Sequence, residues 1–359
     1  MRDSGFELLR IVSIFMVIFS HFFVHSGFPY TETVSLKNIL IGSFAIGEIG
    51  VTCFILISGY FLSSMNFSLN KLLRFSFQLW FYGVSILVFA WIFNTSDMID
   101  KYFLGSIIPF YSLNWFAKAY LLLYLLFPLI NYILKSISKR KFECYLIIFG
   151  FIWTVIPVID LYEHGNVRIT VIYIYTIGAY IRMYGISIFK SIYSKIMIGI
   201  FSYIAVIASV AIMIALNKQY TFISGHENGF LALNSFFVII IGLSIFLVFE
   251  ELRFQYNTKI NLLAKTVFGV YLIHDNPLIK YWLWRDLLNT KQFYASEYLF
   301  IYAVICTVLI FIVCGSIDYC RIKFIEEPIF KIVDIYLPYY QNLVRWKVHY
   351  LVFRKIGRK

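Results

Sequence analysis

Glu7-Leu8-Leu9-Arg10-Ile11-Val12-Ser13-Ile14-Phe15-Met16-Val17-Ile18-Phe19-Ser20-His21 decides how this chain is read. The apolar run it opens continues to about Gly27, long enough to cross a hydrocarbon core of roughly 30 Å as a helix. Glu7 and Arg10 stand at its start. His21 lies about 16 Å beyond Arg10 at the usual helical rise. If Arg10 marks one membrane face, His21 is near the midplane, where an ionisable ring is costly and reads as functional. The plainer reading is a histidine satisfied by a neighbouring helix.

Working outward, the composition agrees. The chain is 61% hydrophobic and 14% charged, with mean hydropathy +0.79, whereas soluble domains are about a quarter charged. That excludes an ordinary soluble domain and implies an all-α polytopic membrane protein. Aromatics at 20% exceed what interfacial belts need, so they must also pack between helices or line a cavity. Cys53, Cys144, Cys306, Cys314 and Cys320 show no metal-ligand spacing and read as small hydrophobes; no metal is expected. No small-residue cleavage site follows the first apolar run, so it is expected to be retained as a helix. The formal charge of +12 fits basic loops facing anionic lipid better than nucleic acid.

About ten spans are expected from length and hydropathy, over 6–27, 38–63, 75–94, 113–134, 143–160, 168–184, 195–216, 231–250, 264–284 and 298–320. With both termini cytoplasmic, roughly 23 of the 31 basic residues fall inside and about six outside. Lys118 and Lys280 fall within predicted helices. No internal repeat is evident. Residues 1–328 form the expected membrane domain. Residues 329–359 form a basic, aromatic-interleaved tail suited to the inner leaflet or simply to solvent.

The second span mixes small residues with Glu48, expected at a depth like that of His21. Glu48 either orients the His21 ring or lines a water-filled vestibule. Lys71 and Arg74, three apart on one helix face, could hold the phosphates of a nucleotide or CoA, although positive-inside charge looks the same. Trp115 and Tyr120 suit an interfacial belt, and Lys118 either snorkels outward or donates to a sugar or carbonyl oxygen. His274 and Asp275 precede Pro277, which should bend the ninth span; a polar cluster facing a shared cavity is expected there. Glu326-Glu327-Pro328 could close a helix start or interact with basic inner loops.

Together these motifs resemble the acyltransferase 3 family of integral membrane acyltransferases. Arg10 and His21 match its first-helix spacing. Phe54-Ile55-Leu56-Ile57-Ser58-Gly59-Tyr60-Phe61-Leu62 is similar to its second-helix motif. Trp115-Phe116 with Tyr120, and Tyr271-Leu272-Ile273-His274, look like later signatures. The resemblance implies transfer of an acyl group, usually acetyl from acetyl-CoA, to a hydroxyl of a cell-surface or lipid-linked glycan. It implies His21 as the essential residue, general base or transient acyl carrier, with Arg10 as its partner. Lys71 and Arg74 fall where the family has an RxxR-like element, but Lys does not reproduce a bidentate Arg. Donor binding thus falls to Arg10, Lys71 and Arg74, and the acceptor cavity to Trp115, Lys118, Tyr120 and His274. Many relatives carry a fused extracytoplasmic esterase-like domain; this sequence shows none, which keeps open a separate extracytoplasmic partner transferase. The competing readings are a flippase for a lipid-linked saccharide with a His/Glu proton relay, and a glycan polymerase.

Overall fold

The computed structural model describes residues 3–111, 114–159, 166–186, 191–217, 219–220, 228–252 and 254–339. Among them the regular secondary structure is helical throughout. Seven stretches are long and apolar enough to cross a membrane: Ser4–His25, Leu36–Leu62, Leu69–Phe93, Trp115–Ser136, Ile192–Asn217, Gly229–Glu251 and Leu299–Tyr339. The other three expected spans are helical but shorter, more polar or interrupted. α7 (Lys139–Gly150) opens on three basic residues and passes through a π turn, Phe151–Val155, into α8 (Ile156–Ile159). α9 (Val167–Tyr184) has Arg168 and Arg182 near its ends, and α12 (Thr258–His274) includes Lys259 and Lys265.

The first helix, α1 (Ser4–His25), is the axis of the bundle. The Asp3 carboxylate accepts from the Gly5 and Phe6 N–H groups, satisfying donors left free at the helix start. α1 packs against α3 (Gly47–Leu62), α11 (Phe236–Glu251), α12 and α13 (Leu299–Arg321). The second-helix glycines make the tight crossings possible. A Cβ on Gly50 would lie 2.5 Å from the Ser13 carbonyl oxygen of α1. A Cβ on Gly59 would lie 2.2 Å from the Tyr175 carbonyl oxygen of α9. In lipid, where tails are as apolar as the helices, such close backbone packing is what holds helices together.

Two expected spans are broken, and both breaks border the site. The second span divides into α2 (Leu36–Ser43) and α3, with Phe44–Ile46 between them. Glu48 thereby falls in the first turn of α3, where unpaired N–H groups and the helix dipole favour a carboxylate. Irregular backbone at membrane depth is tolerated where it lines a cavity. The ninth span ends at His274 rather than bending at Pro277, and helix resumes at Lys280. Residues preceding proline disfavour helical dihedrals, so the chain turns here instead.

The last helix continues beyond Arg321 through a π turn, Ile322–Glu326, to residue 339. It is clipped to α4 (Leu69–Phe93). Arg74 pairs with Asp334 at 2.9 Å and Glu326 at 3.5 Å, Arg321 pairs with Asp318 at 2.7 Å and with Glu326, and the Tyr82 hydroxyl donates to Asp318 at 2.6 Å. Glu326 thus does meet a basic residue near the start of α4. The terminal part of the expected tail, residues 340–359, lies outside the described residues, as do Arg2, Lys190, Lys218 and Arg253 of the charge asymmetry.

Candidate active site

His21 and His25, one helical turn apart on α1, present the same face. The turn after α12 brings Asp275 against them. His25 Nε2 is 3.3 Å from Asp275 Oδ1, and His21 Nδ1 is 3.9 Å from the same oxygen, beyond hydrogen-bond range. Asn114 donates to the Asp275 carbonyl at 3.1 Å, fixing the turn, and Lys280 Nζ stands 3.9 Å from the carboxylate.

His21 Nδ1 lies 3.0 Å from His274 Nε2, and His274 Nδ1 lies 2.6 Å from the Val270 carbonyl oxygen. This network assigns the tautomers. A carbonyl only accepts, so His274 carries its proton on Nδ1 and offers a lone pair at Nε2. His21 Nδ1–H then donates to that lone pair. Neutral His21 therefore keeps its own lone pair on Nε2, which makes no hydrogen bond among the described residues. An imidazole held by one nitrogen and open at the other is what a general base or nucleophile requires.

His21 borders a cavity of about 370 Å³ with Ser20, His25, Glu48, Trp115, Asn228, Tyr271, Asp275 and Lys280. Three buried polar atoms on its lining residues, Glu48 Oε2, Asn228 Oδ1 and the Tyr271 hydroxyl, have no hydrogen-bond partner among the described residues. Leaving such a group unsatisfied costs about 1–3 kcal/mol, more for a charge, so a ligand rich in hydroxyl donors would be stabilised here.

A second cavity, of about 290 Å³, lies toward the Arg10 end of α1, bordered by Glu7, Arg10, Ser58, Phe75, Gln78, Phe116, Tyr120, Lys265 and Phe268. Arg10 Nη1 donates to Glu7 Oε1 at 2.7 Å. Phe116 of this cavity meets Tyr271 of the other edge to face, with ring centroids 5.8 Å apart. Trp115 likewise meets Phe116, and Tyr271 meets Phe268, so the two cavities approach one another across a small aromatic wall.

The sequence expectations divide accordingly. His21, Glu48 and Trp115 share one cavity, while Arg10 and Tyr120 share the other. His274 is fully buried behind His21, so it orients the ring rather than lining the acceptor space. Glu48 lines the same cavity as His21 without a hydrogen bond to it, and His274 holds the His21 ring instead. Lys118 borders neither cavity. Lys71 is exposed, and Arg74 is taken up by Asp334 and Glu326. The expected polar cluster at His274 and Asp275 does form at the His21 cavity, whereas His25 has no place in the sequence reading, although the four-residue spacing of His21 and His25 puts both on one face. The ligating atoms of His21, His25 and Asp275 lie within 4.8 Å of one another, close enough to hold a divalent cation; the Lys280 ammonium beside Asp275 opposes added positive charge there.

Fold and site define a polytopic membrane enzyme built around an oriented, open imidazole. The pattern of the acyltransferase 3 family, an acyltransferase domain, matches residues 3–319, and the chain belongs to that family. It is a membrane acyltransferase, and membership implies an acyl-CoA-like co-substrate. No curated protein and no solved structure matches the chain.

Proposed function

We propose that this acyltransferase moves an acetyl group from acetyl-CoA to a hydroxyl of a cell-surface or lipid-linked glycan at the cell membrane. The observation that carries the reading is the His21 ring, with Nδ1 held by His274 and Nε2 open beside the cavity. The chain spans the membrane about ten times with both termini cytoplasmic, the broken and polar helices α7–α8, α9 and α12 completing the seven longer spans.

On this orientation the Arg10 cavity faces the cytoplasmic half. Arg10 and Lys265 attract the anionic donor, whose pantetheine arm reaches past Phe116 and Tyr271 to bring the thioester to His21. Lys71, with its exposed ammonium, receives the phosphates by charge alone. The acceptor enters the other cavity. Trp115 offers a face for a sugar ring, and Glu48 and Asn228 accept hydrogen bonds from its hydroxyls. The glycan is supplied in the membrane or passed to a separate extracytoplasmic transferase. The Val270 carbonyl, which cannot pass a proton on, ends the His21–His274 chain. A proton relay for a flippase would need an exit there, which favours the transferase.

The test uses membrane vesicles carrying the full chain and acetyl-labelled acetyl-CoA. Label should appear in a glycan or glycolipid with wild type and vanish with His21→Ala. Equal behaviour of the two overturns the reading.

A further inference from the structure

We propose that His25, oriented by Asp275, is a second base serving the acceptor hydroxyl, and that His21 carries the acyl group between donor and acceptor. This rests on the acyl-transfer reading and divides its chemistry between two rings.

Both histidines line the cavity, and their ring centroids are 4.7 Å apart. Each is held at one nitrogen by a different partner. His21 leans on His274. His25 Nε2 faces Asp275 Oδ1 at 3.3 Å, and a carboxylate only accepts, so the His25 proton sits on Nε2 and the lone pair on Nδ1. No described residue hydrogen-bonds to that Nδ1. The His–Asp pair is the base–orienter arrangement of nucleophilic enzymes, in which the carboxylate steadies the imidazolium that forms. Arg285 Nε donates to the His25 carbonyl at 2.9 Å, pinning the end of α1 so that the ring keeps its place. One turn of α1 sets His25 about 6 Å farther from Arg10 than His21. A donor arriving from the Arg10 end therefore meets His21 first, and an acceptor from the opposite end meets His25 first. A single base would have to serve both partners at one nitrogen.

In the first step the His21 Nε2 lone pair attacks the thioester carbonyl. The C–S bond breaks, and the CoA thiolate leaves and takes a proton from water. The acyl-imidazolium shares its charge with His274 through the Nδ1–H. In the second step the acceptor oxygen attacks the acyl carbon while its proton passes to His25 Nδ1. The C–N bond breaks, its electron pair returns to His21 Nε2, and His25 releases the proton to water.

The experiment supplies labelled acetyl-CoA to membrane vesicles carrying the full chain, following free CoA thiol and label retained on the protein. Wild type should release about one CoA per chain in a burst and then turn over. His25→Gln should keep the burst, hold its label and lose turnover by about 100-fold, the usual scale for a lost base. Hydroxylamine, a nucleophile that needs no base, should discharge the label and restore CoA release. His25→Gln turning over like wild type overturns the proposal, as does loss of the burst with an unchanged melting transition. If His25→Gln does not fold, Asp275→Asn carries the same test with the same outcomes. Label reaching the acceptor with no protein-bound stage overturns the relay while leaving acyl transfer intact. Absence of any His21-dependent label transfer is instead the failure of acyl transfer itself.

Discussion

The two cavities strung along α1 differ in how their polar groups are satisfied. Around Arg10 the guanidinium is already paired with Glu7 Oε1 at 2.7 Å, and a single buried carboxylate oxygen there, Glu7 Oε2, lacks a bond among the described residues. Farther out, Arg74 is bound by two carboxylates of the C-terminal helix. Around His21 the polar groups are oriented but incomplete: Nε2 of His21, Nδ1 of His25, Glu48 Oε2 and Asn228 Oδ1 lack bonds among the described residues. Paired charges hold geometry and exchange partners reversibly, which suits binding. Oriented groups with open valence suit bond making, because nothing need be displaced before the reacting atom arrives.

The comparison breaks most sharply at His21. His21→Ala should lower label transfer by about 1,000-fold, near the upper part of the range for acid–base and nucleophilic groups. Retained activity would move the chemistry elsewhere. His274→Ala should cost about 100-fold in kcat with little change in KM for acetyl-CoA, since it frees the ring without touching the donor. A pure KM effect would make His274 a binding residue and erase the contrast. On the other side, Arg10→Ala should raise KM for acetyl-CoA about 10-fold, as expected for one charge-assisted bond, and leave kcat within a few-fold. A collapse in kcat would place Arg10 with the reacting groups. Arg74→Ala should change KM for acetyl-CoA least, because its guanidinium is already taken up by Asp334 and Glu326, while the lost clip should lower the melting temperature. A large KM effect would return Arg74 to the donor site.

Much of this was legible along the chain, because a bilayer constrains sequence more strongly than water does. The spans from Ser4, Trp115 and Leu299 follow from unbroken apolar length, and the cost of an ionisable ring at membrane depth marks His21 as functional. The Arg10–His21 spacing put the expected donor-binding and central residues on one helix. Less legible were the breaks. Nothing at Phe44–Ile46 interrupts hydropathy, yet the helix stops there and puts Glu48 in the first turn of a new helix. Pro277 announced a disturbance, but not that α12 would end at His274 and turn Asp275 toward α1. Arg74 looked free, since its partners Glu326 and Asp334 are more than 250 residues away in sequence.

The amino-acid order by itself determined the class of molecule, the helix that carries the chemistry and the ring at its centre. Those depend on local hydropathy and on spacing within one helix. Only the packed structure decided which groups steady that ring and which stand apart, because a hydrogen bond between α1 and the end of α12 depends on where two distant helices stop and how closely small residues let them approach.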